Sequence, residues 1–364
     1  MTLAFSSSDD LLQQIGESVE EGLSNIDFSQ VEQASSPFLQ NFADCMRRVI
    51  NGEFTSADGY FQALLSLFNQ SLAEILPSLA AVFCIVVICG VARSMSDGLI
   101  SPDTANAVSF VGVAVTVFSL CALAASLYRQ VSDMVNSVAA LSQAAMPVLL
   151  TLVIAGGGSA VSSVCQPSMV VFSSVIIQCV QSFLLPLSVV AMVFSAVSCL
   201  SGNFRVTKLA QFVRSAGAWV LGVLFTGYSA VTSVQGITAA SIDGVSFRAA
   251  RFAAKNYVPI LGGYLSDGLD VVAAGTSLIK NSFGAVSMGV IALMAVGPVV
   301  SLTCANLGLQ ALAAVTQPVA EEGHVNLLTS LAKCLTFLIA LVVAVAFMFC
   351  VPVTVAILCA GEAV

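Results

Sequence analysis

Charge is what this chain most lacks: of its 364 residues only 9% are Asp, Glu, Lys or Arg, while 58% are hydrophobic. A water-soluble domain carries about 25% charged residues to hydrate its surface. Most of this chain must therefore face something other than water, and a lipid bilayer is the medium that fits. Histidine is nearly absent too, His324 being the one example. A multi-histidine metal site is thereby excluded within one chain, and a Ser-His-Asp hydrolase would have to be built around that residue. It stands in Glu321-Glu322-Gly323-His324, a short polar break between apolar runs, and reads as an exposed loop histidine. Neither a GxxxxGK(S/T) phosphate loop nor a GxGxxG turn opening a helix occurs, so nothing points to nucleotide hydrolysis. No enzyme activity, cofactor, metal or nucleic-acid partner is expected.

Cysteine is plentiful, at 11 residues, yet no CxxC pair exists. From Cys84 to Cys359 the cysteines stand singly in or beside apolar stretches and read as small packing hydrophobes. Cys45 alone lies in a polar region, where its thiol would pair between chains only in an oxidising compartment.

The few charges are unevenly laid out. Residues 1–74 hold 11 of the 20 acidic residues and, among the bases, only Arg47 and Arg48, whereas the remainder is nearly neutral. The chain thus divides into an acidic amphipathic N-terminal segment, 1–74, and a transmembrane domain, 75–364. In the first, Leu11, Leu12, Ile15, Val19 and Leu23 recur at helical spacing, and Phe61, Leu64, Leu65 and Phe68 predict a juxtamembrane helix. No apolar signal-peptide core precedes them, which leaves the side of the membrane open.

A spanning helix needs about 20 apolar residues. Uncharged or nearly uncharged runs of that order are 75–92, 105–127, the 71 residues of 134–204, 215–242, the 40 residues of 281–320, and 334–361. Pro147, Gly156-Gly157-Gly158, Pro167, Pro186 and Pro298 punctuate the long runs, since proline removes a backbone donor and glycine loosens a helix. Dividing the runs there predicts an all-α, polytopic transmembrane bundle of about 8–9 spans. Retention of Lys and Arg on the cytoplasmic side puts Arg93 and the Arg205, Lys208 and Arg214 loop inside; nine crossings then leave the N-terminus outside and the C-terminus inside. Arg248, Arg251, Lys255 and Lys280 fall outside, against the rule. Either that stretch is a membrane-level or re-entrant element, or the count is off by one.

That stretch draws the most interest. On a helix, Arg248, Arg251 and Lys255 share one stripe beside Val245, Ala249 and Phe252, the pattern of an interfacial helix. The basic face suits lipid headgroups, or else a solute or partner. Pro259, Gly262 and Gly263 follow, then Asp267 and Asp270 one helical turn apart. Acids at membrane depth line a polar path or pair with a base, here Lys280 or the basic stripe; at the surface they need no such role. These nine residues are the candidate channel or interface residues. Pro147 and Pro186 share a 39-residue spacing with Pro259 and Pro298, as in an internally duplicated transporter. Aligning the two halves at that offset yields few further identities.

The wording of the chain adds a resemblance. Ala145-Met-Pro-Val-Leu-Leu-Thr-Leu, Gly156-Gly-Gly and Ser163-Val-Cys-Gln-Pro167 carry part of it. Most of it lies in Asp243-Gly-Val-Ser-Phe-Arg-Ala-Ala-Arg-Phe-Ala-Ala-Lys255, in Asn256-Tyr-Val-Pro-Ile-Leu-Gly-Gly-Tyr-Leu-Ser-Asp-Gly-Leu-Asp270, and in Ile279-Lys-Asn-Ser-Phe-Gly-Ala-Val. These phrases resemble the stage III sporulation protein AE family of endospore-forming bacteria, over about residues 60–364 and most specifically over 243–284. The resemblance implies a permease-like integral component of the channel-like assembly joining the mother cell to the engulfed forespore, set in the mother-cell (outer forespore) membrane. Implied partners are membrane lipids, the other proteins of the sporulation stage III A complex, among them a secretion-type ATPase and ring-forming proteins, a forespore partner protein, and further copies of the chain. It also implies an export signal, which this N-terminus does not show, and it carries over no catalytic residue. The competing classes are a freestanding secondary transporter of a small solute, binding near the midplane at discontinuous helices, and a scaffold that passes nothing.

Overall fold

The structure is a computed structural model describing residues 29–35, 42–50, 57–94, 102–155, 171–200, 207–257, 262–318 and 322–359. Apart from the turn at 317–318, every described residue is helical. Two short helices, α1 (Ser29–Ser35) and α2 (Phe42–Ile50), precede α3 (Ala57–Ser94) and α4 (Pro102–Ala155). Helix α5 begins at residue 171, passes through a π-turn at Val180–Leu184 and continues as Leu185–Leu200. Helices α6 (Thr207–Tyr257), α7 (Gly262–Thr316) and α8 (Glu322–Cys359) complete the chain.

Among the described residues, six helices are long and apolar enough to cross a bilayer, one stretch in each of α3 to α8: Leu65–Val91, Phe110–Ala155, Val171–Ser198, Lys208–Gln235, Ala274–Thr316 and Gly323–Ile357. The eight or nine spans expected are not confirmed by this count of the described residues. Pro186 and Pro298, taken as breaks, lie inside α5 and α7, as Pro147 lies inside α4. In hydrocarbon a segment has to satisfy its own backbone. A missing N–H therefore costs less than the set of orphan donors and acceptors that each new helix end would expose. At Pro186 the accommodation is visible: in the π-turn just ahead of it, the Leu185 N–H donates to the Val180 carbonyl, five residues back. Hydroxyls follow the same logic, Thr303, Ser287 and Thr354 donating to the carbonyls of Val299, Phe283 and Cys350 one turn earlier, at 2.7, 2.8 and 2.9 Å.

Helices α7 and α8 form the centre, burying Phe283, Met294, Leu302 and Leu309 on one and Leu328, Leu335, Leu338, Val342 and Phe349 on the other. The three- and four-residue spacings keep these side chains on one stripe of each helix. Small residues let neighbours close in, as expected where lipid supplies no hydrophobic drive between helices. Gly308 of α7 receives the Leu79 side chain of α3 where a Cβ would stand, and Gly284 receives Ile357 of α8. The outer surface is itself apolar, with Phe118 78% and Trp219 75% exposed, so the bundle presents aromatic and aliphatic side chains to lipid.

Cross-helix contacts set the levels. At one end the backbone of Gly112 in α4 lies against Cys89 of α3 and beside His324 of α8. His324 is therefore not an exposed loop residue: it sits in the first turns of α8 and is 1% exposed. At the other end Phe42 of α2 stacks on Phe283 with ring centroids 5.2 Å apart, and Lys280 Nζ donates to the Ile357 carbonyl at 2.7 Å. These contacts bring α2 and the end of α8 to the same end of the bundle.

Candidate functional site

Arg248, Arg251 and Lys255 fall in the last turns of α6. Their helical spacing holds, but on the continuation of a spanning helix, not on a separate interfacial one. The apolar stretch of α6 ends at Gln235, and residues 236–257 carry the helix on by about 33 Å at 1.5 Å per residue. Pro259 lies outside the described residues. Gly262 and Gly263 open α7, and Asp267 and Asp270 follow in its early turns, ahead of the apolar stretch that starts at Ala274. The charged stretch is therefore made of the adjoining ends of two consecutive helices, α6 and α7, both beyond their apolar lengths.

Lys280 is placed differently. It is 1% exposed within the apolar stretch of α7, ten residues beyond Asp270. Those ten residues are about 15 Å of helix, well past the three- and four-residue spacings at which helix side chains meet. Its ammonium donates to the carbonyl of Ile357. Ile357 is among the last four residues of α8, whose carbonyls lack intrahelical partners and form the negative end of the helix dipole. The lysine thus caps the final helix. Around it Gly284 admits the Ile357 side chain, Phe283 meets Phe42, and the Thr354 hydroxyl reaches Met288 Sδ at 3.3 Å.

Glu74 is placed otherwise than the sequence suggested. It had served as the edge of the first span, but α3 runs through it unbroken and the apolar stretch begins at Leu65. It lines a cavity with Ser78 of the same helix, Ser126 and Gln130 of α4, and Ser301 of α7. The signal available in the sequence was Leu67, Phe68 and Leu72 ahead of it, which extend the apolar run on its N-terminal side. Among the described residues no group of three or more His, Cys, Asp or Glu is placed to hold a metal ion.

Six long apolar helices, with α7 and α8 packed at the centre, define a polytopic helical membrane protein. The family model for stage III sporulation protein AE matches residues 40–360, which takes in α2 and all six spanning helices, and the chain belongs to that family. It is 24% identical to the stage III sporulation protein AE of Bacillus subtilis (strain 168) over 315 residues, 84% of this chain and 78% of that protein. No solved structure matches the chain.

Proposed function

We propose that this protein is an integral, permease-like component of the mother cell–forespore channel complex required for endospore development. It sits in the outer forespore membrane and works with the other stage III A proteins and a forespore partner. Family membership from residue 40 to 360 carries this reading. The geometry supports it through the α6 and α7 ends. Asp243, Arg248, Arg251, Lys255, Asp267 and Asp270, six of the sparse charges of the body, are gathered on residues 236–273, helical on both sides of 258–261 and beyond the apolar stretches. Charge on helix that has left the hydrocarbon is available to water-side partners, while the basic stripe also suits anionic headgroups.

The test is the double substitution Asp267→Asn, Asp270→Asn. Sporulation is expected to fail after engulfment, with the protein at its normal level and other stage III A proteins no longer co-purifying from sporulating cells. Wild-type spore yield in the double variant, or recovery of the wild-type protein without partners, would overturn the assignment.

A further inference from the structure

Asn136 of α4 and Gln181 of α5 meet on the outer surface of the bundle, the Gln181 amide nitrogen donating to Asn136 Oδ1. Contacts with other helices give their depth. On α5, Gln181 stands between Phe172, whose ring meets Tyr228 of α6 edge-on at 5.9 Å, and Leu187, which packs on Gly217 of α6 together with Phe337 of α8. Phe225 of α6 in turn meets Phe347 of α8 at 6.5 Å. The amide pair thus lies at the level of residues 217–228 of α6 and 337–347 of α8, the middle of the apolar stretches Lys208–Gln235 and Gly323–Ile357. There α6 and α8 turn apolar side chains outward, Trp219, Val223 and Phe347 being 75%, 64% and 60% exposed.

On α4 and α5 the outward side chains at this level are polar instead. Arg129, Asp133 and Asn136 follow one another on α4 at four- and three-residue spacing and are exposed, as are Gln178 and Ser182 on α5. Two hydrogen bonds run inside the patch, Gln181 to Asn136 and Gln178 to Ser182, the second at 2.9 Å. They leave the Asn136 amide nitrogen and both glutamine carbonyls unused. Among the described residues Arg129 and Asp133 join no ion pair, with each other or elsewhere. Amides and charges turned outward at the middle of a span need a partner that lipid tails do not supply.

We propose that this α4–α5 face is where two copies of the chain meet in the membrane. The patch carries one charge of each sign and both amide donors and amide acceptors, so it is complementary to itself. Copies inserted the same way are related by a two-fold axis along the membrane normal, which sets their α4 helices parallel. Arg129 of each copy then faces Asp133 of the other across four residues, about 6 Å of helical rise, a gap the long arginine side chain spans. Asn136, Gln178 and Gln181 exchange amide hydrogen bonds beside the two ion pairs, as polar side chains do between membrane helices. An anionic lipid would answer Arg129 and be repelled by Asp133, whereas a second copy answers both. The contact requires insertion in a bilayer and does not depend on the role proposed for the protein in sporulation.

Light scattering on the full-length chain in mild detergent tests it, with a dimer expected for the wild type. Arg129→Glu makes the patch doubly acidic and Asp133→Lys makes it doubly basic. Each should weaken self-association roughly tenfold or more, since a substitution acts twice in a two-fold contact. Mixed together, the two variants should associate with each other about as tightly as the wild type does with itself. A second measurement leaves every polar residue in place and carries the test should a charge variant fail to fold. Ala140 is exposed one turn beyond Asn136 on the same stripe. In a background with the native cysteines replaced, Ala140→Cys is expected to form a chain-to-chain disulfide on mild oxidation of membranes, while Val223→Cys on α6 stays reduced. A monomeric wild type, single charge variants that associate like the wild type, a mixture that recovers no association, or cross-linking of Ala140→Cys to a different protein and not to another copy would overturn the proposal.

Discussion

Lys280 shows what a charge inside an apolar bundle requires. Lys280 is 1% exposed and its ammonium bonds a helix-end carbonyl at 2.7 Å, so a buried donor meets an orphan acceptor. Lys280→Met keeps the length of the side chain and removes the donor. It is expected to lower stability by about 1–3 kcal/mol, measured by thermal unfolding in detergent, and to raise hydrogen exchange over 353–359. Wild-type exchange there would show that the cap does not hold the last turn. Lys280 was legible in the sequence as a lone base bordering an apolar run, but its partner stands 77 positions away and no local pattern announces a backbone carbonyl. His324 failed the other way. Its acidic, glycine-containing surroundings read as a loop, yet the backbone of Gly112, from a distant helix, leaves room for the ring to bury. Glu74 was taken for a boundary because a charge usually ends an apolar run. Its groove takes shape only once α4 and α7 bring Ser126, Gln130 and Ser301 beside it.

The elements themselves were largely legible, and their ends were not. Apolar content and length predicted helices wherever α3 to α8 occur, and the break between α6 and α7 falls at the Pro259 to Gly263 punctuation. Pro186 and Pro298 misled, because proline is a helix breaker in water, where backbone freed by a break is solvated. In hydrocarbon the balance reverses. The continuity of α7 through Pro298 has a direct consequence. Ser301 lies beside Ser71 of α3, with hydroxyl oxygens 3.1 Å apart, within disulfide reach once both are cysteine. In a background with the native cysteines replaced, Ser71→Cys, Ser301→Cys is expected to cross-link rapidly on mild oxidation. A second crossing made by a turn at Pro298 would place Ser301 at a membrane surface, and the pair would then stay reduced.

At the scale of the whole molecule the helix count decides sidedness. One crossing by each of the six apolar stretches would put the end of α2 and the end of α8 at one face, where Phe42–Phe283 and Lys280–Ile357 tie them to α7. The helix ends at Ser94 and Pro102, at Leu200 and Thr207, and at Thr316 and Glu322 would then lie at the opposite face. Single cysteines at position 50 and position 361 should therefore react with a membrane-impermeant reagent from the same side, and cysteines at 98 and 203 from the other. Labelling of 50 and 361 from opposite sides would restore an odd count. The apolar stretch of α6, Lys208–Gln235, lies in the chain between Arg205 and the 248–255 stripe. The sequence had placed those two basic groups on opposite sides for the same reason.

Composition was enough to assign this chain to the bilayer and to helices. So little charge cannot hydrate a surface, and a polypeptide in hydrocarbon has few ways other than the helix to pair its own backbone. The phrases between 243 and 284 were enough to suggest the family. Tertiary packing decided which ends lie together, that Lys280 caps α8, and that Glu74 lines a groove with Ser126, Gln130 and Ser301. Each of these depends on residues far apart in sequence meeting at one level of the bundle, and neither local periodicity nor the spacing of charges along a chain encodes that meeting.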